Sequence, residues 1–312
     1  MSDQLTMGVI GQSYKADEHR APIEPSQILD IAPELRARIY FQAGYGERFG
    51  VSDDVIAAQC GGVLPTDELY ARCDIVLLPK PTQADFPAWR DGQIIWGWPH
   101  CVQGPEITQE AIDKKLSVIA WEAMNLWHED DSRGLHIFHK NNEIAGYAAV
   151  MHALSLRGTT GHFGRPKRAA VISYGLTAGG AARALKGLGF SDVTVYTKRG
   201  DIVLDRKIDG LQFEQFELDV EGDAQVLTER GRVPMAGELA KMDVIVNCIF
   251  QDTDQPAFFA RTSDLASFQT AALIIDVSCD RAMGFDFAVP TSFAKPTFEV
   301  GDGIMYYAVD HT

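Results

Sequence analysis

Three residues in the first third of the chain have side chains suited to chemistry on a polar substrate, and each sits in a loop that follows a short apolar segment. Arg20 comes after Lys15-Ala16-Asp17-Glu18-His19, beyond the apolar opening Met7-Gly8-Val9-Ile10-Gly11. Lys80 stands in Leu78-Pro79-Lys80-Pro81, just past Asp74-Ile75-Val76-Leu77-Leu78. His100 closes Gln93-Ile94-Ile95-Trp96-Gly97-Trp98-Pro99-His100, where an apolar run halts at Gly97 and Pro99. A histidine titrates near neutrality and moves protons without special tuning. An arginine grips a carboxylate with two parallel N–H bonds. Taken singly, each of the three reads as a surface charge or a packing residue. Their shared placement after strands favours a site, because ligands of parallel α/β sheets bind outside the carboxyl ends of the strands.

A second pattern belongs to a cofactor. The run Arg168-Ala169-Ala170-Val171-Ile172 leads into Ser173-Tyr174-Gly175-Leu176-Thr177-Ala178-Gly179-Gly180. Against the G-x-G-x-x-G/A fingerprint, Ser173 replaces the first glycine, Gly175 is the second and Ala178 the third. A strand before the turn and a helix after it give the pattern its meaning. Gly175 lets the backbone approach a pyrophosphate, whose charge the amides of Leu176, Thr177 and Ala178 at a helix N-terminus would meet. A ligand-free strand-to-helix turn is the plainer alternative. The next strand, Asp192-Val193-Thr194-Val195-Tyr196, ends in Thr197-Lys198-Arg199. An enzyme that uses NAD commonly carries an acid there; two cations and a hydroxyl suit the 2′-phosphate of NADPH.

The elements that must position these residues alternate. Ile39 to Gln42, Asp74 to Leu78, Gln93 to Trp96 and Leu116 to Ala120 read as strands, with helical spacing over Ile28 to Ile39 and Thr108 to Lys115. Asn142 to Leu156 and Ala181 to Leu188 read as helices of a second unit, with further strands at Asp243 to Asn247 and Ala272 to Asp276. Strands apolar throughout, alternating with helices, predict parallel sheets covered on both faces. The polar stretch Asp201 to Gly237 is expected to be a hairpin or long loop on the surface.

Composition narrows the function. Hydrophobic residues make up 46% and charged residues 23% of the 312 positions, as in ordinary globular proteins. A formal charge of −15 argues against a nucleic-acid backbone as partner. No run of about 18 apolar residues suggests a membrane span, and the N-terminus lacks the pattern of a signal peptide, so a cytoplasmic location is expected. The five cysteines, Cys60, Cys73, Cys101, Cys248 and Cys279, form no C-x-x-C pair, and no metal site is expected.

Several segments together resemble the alanine dehydrogenase and nicotinamide nucleotide transhydrogenase superfamily, and within it the N5-(carboxyethyl)ornithine synthases. They are E-H-R-A-P-I-E-P, I-V-L-L-P-K-P, W-G-W-P-H-C-V-Q, I-A-W-E-A-M, N-N-E-I-A-G-Y-A-A-V-M-H-A, D-V-I-V-N-C-I, I-I-D-V-S-C-D and Y-A-V-D-H-T, in family order over almost the whole chain. The resemblance implies an α/β fold of two Rossmann-like domains with parallel sheets and an active-site cleft between them. Residues 1–140 and 291–312 would form the substrate domain and 141–290 the dinucleotide-binding domain. Arg20 and Lys80 would bind the 2-oxo acid, Lys80 also polarising it, and His100 would give and take the proton. Glu122 matches the acid at the end of the following strand, and Asp280 one near nicotinamide and substrate. Asn247 and Cys248 would lie beside the nicotinamide ribose. The implied reaction is an NADPH-dependent reductive condensation of a 2-oxo acid such as pyruvate with the side-chain amine of ornithine or lysine, in a homo-oligomer. The alternatives are alanine dehydrogenase with ammonia as the amine, a saccharopine-dehydrogenase-like reaction, and an NADPH-binding protein without turnover.

Overall fold

The computed structural model describes residues 4–102, 104–199, 208–252 and 254–311. They form two compact units, Met1–Ile137 and Phe138–Thr312.

The first unit is built on strands β1 (Met7–Val9), β2 (Ile39–Gln42), β3 (Gly62–Leu64), β4 (Ile75–Leu77), β5 (Ile94–Gly97) and β6 (Ser117–Ala120). They pair in the order β3-β2-β1-β4-β5-β6, every pair parallel. The strand order turns back between β1 and β4, which is where Rossmann-type sheets bind ligands. Short helices cross between the strands: α1 (Pro33–Arg36), α2 (Asp53–Ala57), α3 (Thr66–Arg72) and α4 (Pro105–Asp113). The predicted helix over Ile28–Ile39 is instead a 3₁₀ turn, Pro25–Asp30, followed by the single turn of α1. Pro33, inside the predicted span, opens a new turn and prevents one continuous helix. A two-stranded ribbon, β7 (Asn125–Trp127) with β8 (Arg133–His136), closes the unit.

The second unit opens with the long helix α5 (His139–Arg157), then β9 (Arg168–Ile172), α6 (Leu176–Gly187) and β10 (Asp192–Thr197). It continues through β11 (Gln212–Leu218), β12 (Ala224–Thr228), β13 (Gly231–Pro234), α7 (Met235–Leu239) and β14 (Val244–Asn247). Then follow β15 (Phe258–Ala260), β16 (Leu273–Asp276), β17 (Gly284–Phe285), β18 (Thr297–Val300) and β19 (Ile304–Tyr307). Nine strands form one sheet, β13-β12-β11-β10-β9-β14-β16-β19-β18, whose parallel centre β11-β10-β9-β14-β16-β19 repeats the strand order of the first unit. Side chains alternate between two cores. Ala170, Ile172, Ile245 and Ile274 face one; Ala169, Val171, Val244, Val246 and Ile275 face the other. A strand apolar on both sides has to be covered twice, which is why these sequences read as continuous hydrophobic runs.

Two expectations are corrected here. Residues 291–312 fold with the second unit rather than the first, because Ile304, Tyr306 and Tyr307 are buried in a strand that pairs with β16. The stretch Asp201–Gly237, expected to be a hairpin or long loop, holds antiparallel hairpins, but they continue the main sheet. Asp201–Lys207 lies outside the described residues, but β11 is a third parallel strand beside β10, and β12 and β13 extend the sheet antiparallel to it.

Small residues bring α5 and α6 together. A methyl group at Gly146 would sit 2.0 Å from the Thr177 carbonyl oxygen, and one at Gly180 would sit 1.8 Å from that of Glu143. Gly180 therefore serves helix-on-helix contact. No helix among the described residues is long and apolar enough to cross a membrane. None of the five cysteines is in a disulfide, and no cluster of three His, Cys, Asp or Glu side chains able to hold a metal occurs among the described residues.

Candidate active site

Because the first sheet is wholly parallel, the loops leaving β1, β4, β5 and β6 emerge on the same edge, and these strands are neighbours. They carry Arg20, Lys80, His100 and Glu122 respectively. Lys80 and His100 are brought together by hydrogen bonds that run past the ends of the strands. The Leu78 amide donates to the Trp96 carbonyl at 3.0 Å, and the Trp98 amide to the Pro79 carbonyl at 3.0 Å. Gly97 makes this possible, since a methyl group there would lie 1.9 Å from the Leu78 carbonyl oxygen. Lys80 and His100 line one cavity of 280 Å³, with Trp98 and Phe86 as its aromatic walls. A space of that size suits a ligand smaller than a typical drug. Trp96 is not among the residues lining it.

His100 has φ of +50°, a left-handed conformation that costs a non-glycine residue about 1–3 kcal/mol. The carboxylate of Glu122 holds it there: Oε1 accepts the His100 main-chain N–H at 2.8 Å. The other carboxylate oxygen, Oε2, is buried and has no hydrogen-bond partner in the protein. Glu122, expected as the acid at the end of the following strand, thus contacts the backbone of the histidine loop.

Arg20 is held by an acid that the sequence reading passed over. Glu18 takes the guanidinium in a two-point grip, Nε to Oε1 at 2.9 Å and Nη2 to Oε2 at 2.5 Å, and also accepts the Arg20 main-chain N–H at 2.9 Å. Burial would raise the Glu18 carboxyl, but the hydrogen bonds and charge of Arg20 hold it below the ordinary carboxylate range. The guanidinium lies 4.2 Å over the ring of Trp98, and Trp98 meets Trp121 edge to face at 4.5 Å. The ring that walls the cavity therefore also supports the arginine. The i, i+2 spacing in Glu18-His19-Arg20 was the available signal for this pair.

In the second unit the cofactor turn occupies the corresponding switch, between β9 and β14. Ser173 has φ of +83°, the left-handed value that explains why the fingerprint calls for glycine at this point. Gly175 is exposed and caps α6, and a methyl group there would meet nothing within 4 Å. A phosphate could therefore approach the backbone of the turn, with the N-terminal amides of a 12-residue helix beneath it. The residues present fit a dinucleotide. Arg199 donates from Nη2 to the Tyr174 carbonyl at 2.7 Å, which ties the end of β10 to the turn, and the Thr197 hydroxyl accepts the Arg199 amide at 3.2 Å. Lys198 and Arg199 are exposed.

Asn247 departs from expectation. It is wholly buried; its amide donates to Asp276 Oδ1 at 3.0 Å, and its carbonyl oxygen accepts the Ile249 amide at 3.2 Å. Tyr306 donates to Asp276 Oδ2 at 2.6 Å, completing a buried network that apolar periodicity could not reveal. Burial pushes the Asp276 carboxyl up to about 7, although both hydrogen bonds oppose the rise. Asn247 thus anchors the loop after β14, leaving half-buried Cys248 as the more open residue at that strand end. Burial pushes the Cys248 thiol up. Asp280 is half-buried, with its carboxyl raised by burial, and follows Cys279 at φ of +57°.

Comparison with known proteins agrees with this architecture. Residues 9–145 match the family described as alanine dehydrogenase/PNT, N-terminal domain. An alanine dehydrogenase of Mycobacterium tuberculosis (strain CDC 1551 / Oshkosh) is 26% identical over 305 residues, covering 94% of this chain and 77% of the relative. An N(5)-(carboxyethyl)ornithine synthase of Lactococcus lactis subsp. lactis is 25% identical over 320 residues, covering 99% and 89%. Among solved structures, an L-alanine dehydrogenase superposes with a TM-score of 0.74 at 19% identity, covering 98% of this chain and 82% of that one. A transhydrogenase from Sinorhizobium meliloti superposes with a TM-score of 0.71 at 16% identity, covering 98% and 86%. These matches show that the chain is similar to alanine dehydrogenases and N(5)-(carboxyethyl)ornithine synthases along most of its length and shares the fold of an L-alanine dehydrogenase and a transhydrogenase. They do not separate the two kinds of enzyme, since both names occur at about the same identity.

Proposed function

We propose that this chain is an NADPH-dependent oxidoreductase that joins a 2-oxo acid, pyruvate, to the side-chain amine of ornithine or lysine, giving an N-(carboxyethyl) amino acid. The observation that supports this most directly is the shared cavity of Lys80 and His100, walled by the ring on which Arg20 rests. In this reading Arg20 and Lys80 hold the carboxylate of the oxo acid, and Lys80 polarises its carbonyl. The amine nitrogen forms a bond to the carbonyl carbon and water leaves, giving an imine. His100 supplies the proton that the departing oxygen needs and accepts the one that the amine releases. NADPH, when bound, would supply the hydride for the imine carbon and leave as NADP+, and the proton taken up by the imine nitrogen would come from solvent through His100. Asp280 acts near the reacting atoms, and Glu122 holds His100 in place. Gly175, Leu176, Thr177 and Ala178 take the pyrophosphate through main-chain amides, with Ser173 shaping the turn and Cys248 near the nicotinamide ribose. Thr197, Lys198 and Arg199, with no acid at that strand end, support NADPH over NADH.

A second reading, alanine dehydrogenase with ammonia as the amine, has the support of relatives that carry that name. One assay separates the two. NADPH oxidation is followed with pyruvate present and ornithine, lysine or ammonia in turn, and NADH is run in parallel. Turnover that requires a diamino acid and prefers NADPH is expected. Turnover with ammonia and NADH would overturn the proposal in favour of alanine dehydrogenase, and saturable NADPH binding without oxidation would overturn both.

A further inference from the structure

The reading above names a class of amine without a residue to recognise it. We infer that Glu106 is that residue: it binds the cationic α-amino group at the far end of a diamino-acid substrate. The inference rests on the proposed condensation and deepens it.

Glu106 lines the same cavity as Lys80 and His100, and among the described residues lining that cavity it carries the sole carboxylate. An acid in the first turn of a helix ordinarily needs no further account, because it complements the helix dipole. That explanation covers the sequence position in α4 but not the opening of this turn onto a cavity whose other charged wall is Lys80. The turn is also tied to the proton-transfer loop. The Gly104 amide donates to the His100 carbonyl at 2.9 Å, and the Thr108 hydroxyl donates to the Cys101 carbonyl at 2.7 Å. These two bonds join the histidine loop to the first turns of α4. A methyl group at Gly104 would press on Ile107 at 3.0 Å and on the His100 carbonyl at 3.3 Å, so the two segments are packed as well as bonded. A lysine and a carboxylate on one small cavity fit a substrate pair that is anionic where the oxo acid sits and cationic beyond the new C–N bond. Ammonia has no second cationic group for Glu106 to hold.

The test compares wild type with Glu106→Gln, using ornithine and 5-aminopentanoate, which is ornithine without its α-amino group. In wild type, removing that group should raise KM for the amine roughly tenfold, the scale of one charge-assisted contact. Glu106→Gln should raise KM for ornithine by a similar factor, leave KM for pyruvate unchanged and no longer distinguish the two amines. Glu106→Asp should recover part of the discrimination. If ornithine and lysine are turned over but Glu106→Gln matches wild type on both amines, the inference fails and the condensation stands. If wild type turns over no diamino acid, the condensation itself fails and the inference goes with it.

Discussion

The two sheets share one strand order and put it to different uses. In the first unit β1 runs into a long loop, with only a 3₁₀ turn from Pro25 before α1, so no helix N-terminus stands at the switch point. What that edge offers is side chains: Arg20, Lys80, His100 and Glu122. In the second unit β9 passes to α6 within a few residues, Ser173 to Gly175, and the edge offers main-chain amides behind an open glycine. A long loop can carry charged groups to a carbonyl, whereas a short one aims a helix dipole at a phosphate. Loop length after the first strand thus decides whether the same topology presents side chains or main-chain amides at its edge.

Substitutions at the two edges should therefore fail in different ways. The largest effect is expected from Gly97→Ala, whose methyl group would meet the Leu78 carbonyl oxygen and force β4 and β5 apart. A cost of roughly 3 kcal/mol in denaturant unfolding is expected, as for severe overpacking, together with loss of turnover, because Trp98 and His100 follow directly. Arg199→Ala should spare kcat and weaken NADPH roughly 10- to 100-fold, with little change for NADH, as measured by titration of each nucleotide. Equal losses for both nucleotides would mean that Arg199 only ties the turn to β10.

Asp276 sharpens the contrast, since in the second unit a buried acid serves architecture. Its folded-state carboxyl is raised by burial to about 7, above the ordinary unfolded value of about 3.9. The native state then holds a proton that the unfolded chain releases, so its contribution to stability declines as pH rises from about 4 to 7 and levels off above. Asp276→Asn should remove that decline, and unfolding followed across this range would show a flatter pH dependence than wild type. An identical slope would count against the raised carboxyl. The smallest effect is expected at Ser173, where Ser173→Gly relieves a left-handed serine. A gain of about 1 kcal/mol is expected, a rise in Tm of roughly 2–4 °C, with NADPH affinity retained.

The sequence and the structure agree best where one signal dominates. Strands β2, β4, β5, β6, β9, β10, β14 and β16 were legible because runs such as Ile94-Ile95-Trp96 and Val244-Ile245-Val246 are apolar on both faces. Strand β11 was missed because Gln212-Phe213-Glu214-Gln215-Phe216 is mostly polar, with neither an apolar run nor a strict alternation, and so resembles a surface segment. The return of Thr297–Tyr307 to the second sheet was hidden because pairing partners are a tertiary fact. Arg20, Lys80 and His100 were legible by type and by their place after strands. Glu18, the Asp276 network and the backbone role of Glu122 were not, since each depends on contacts between segments that only the fold brings together.

The division of labour between the two edges is tested most directly by His100→Ala, with turnover and NADPH binding measured on the same preparation. If the first edge carries the chemistry, kcat should fall roughly 10²- to 10⁴-fold, the usual contribution of a positioned acid–base group, while the dissociation constant for NADPH stays as in wild type. Turnover at the wild-type rate would contradict the account.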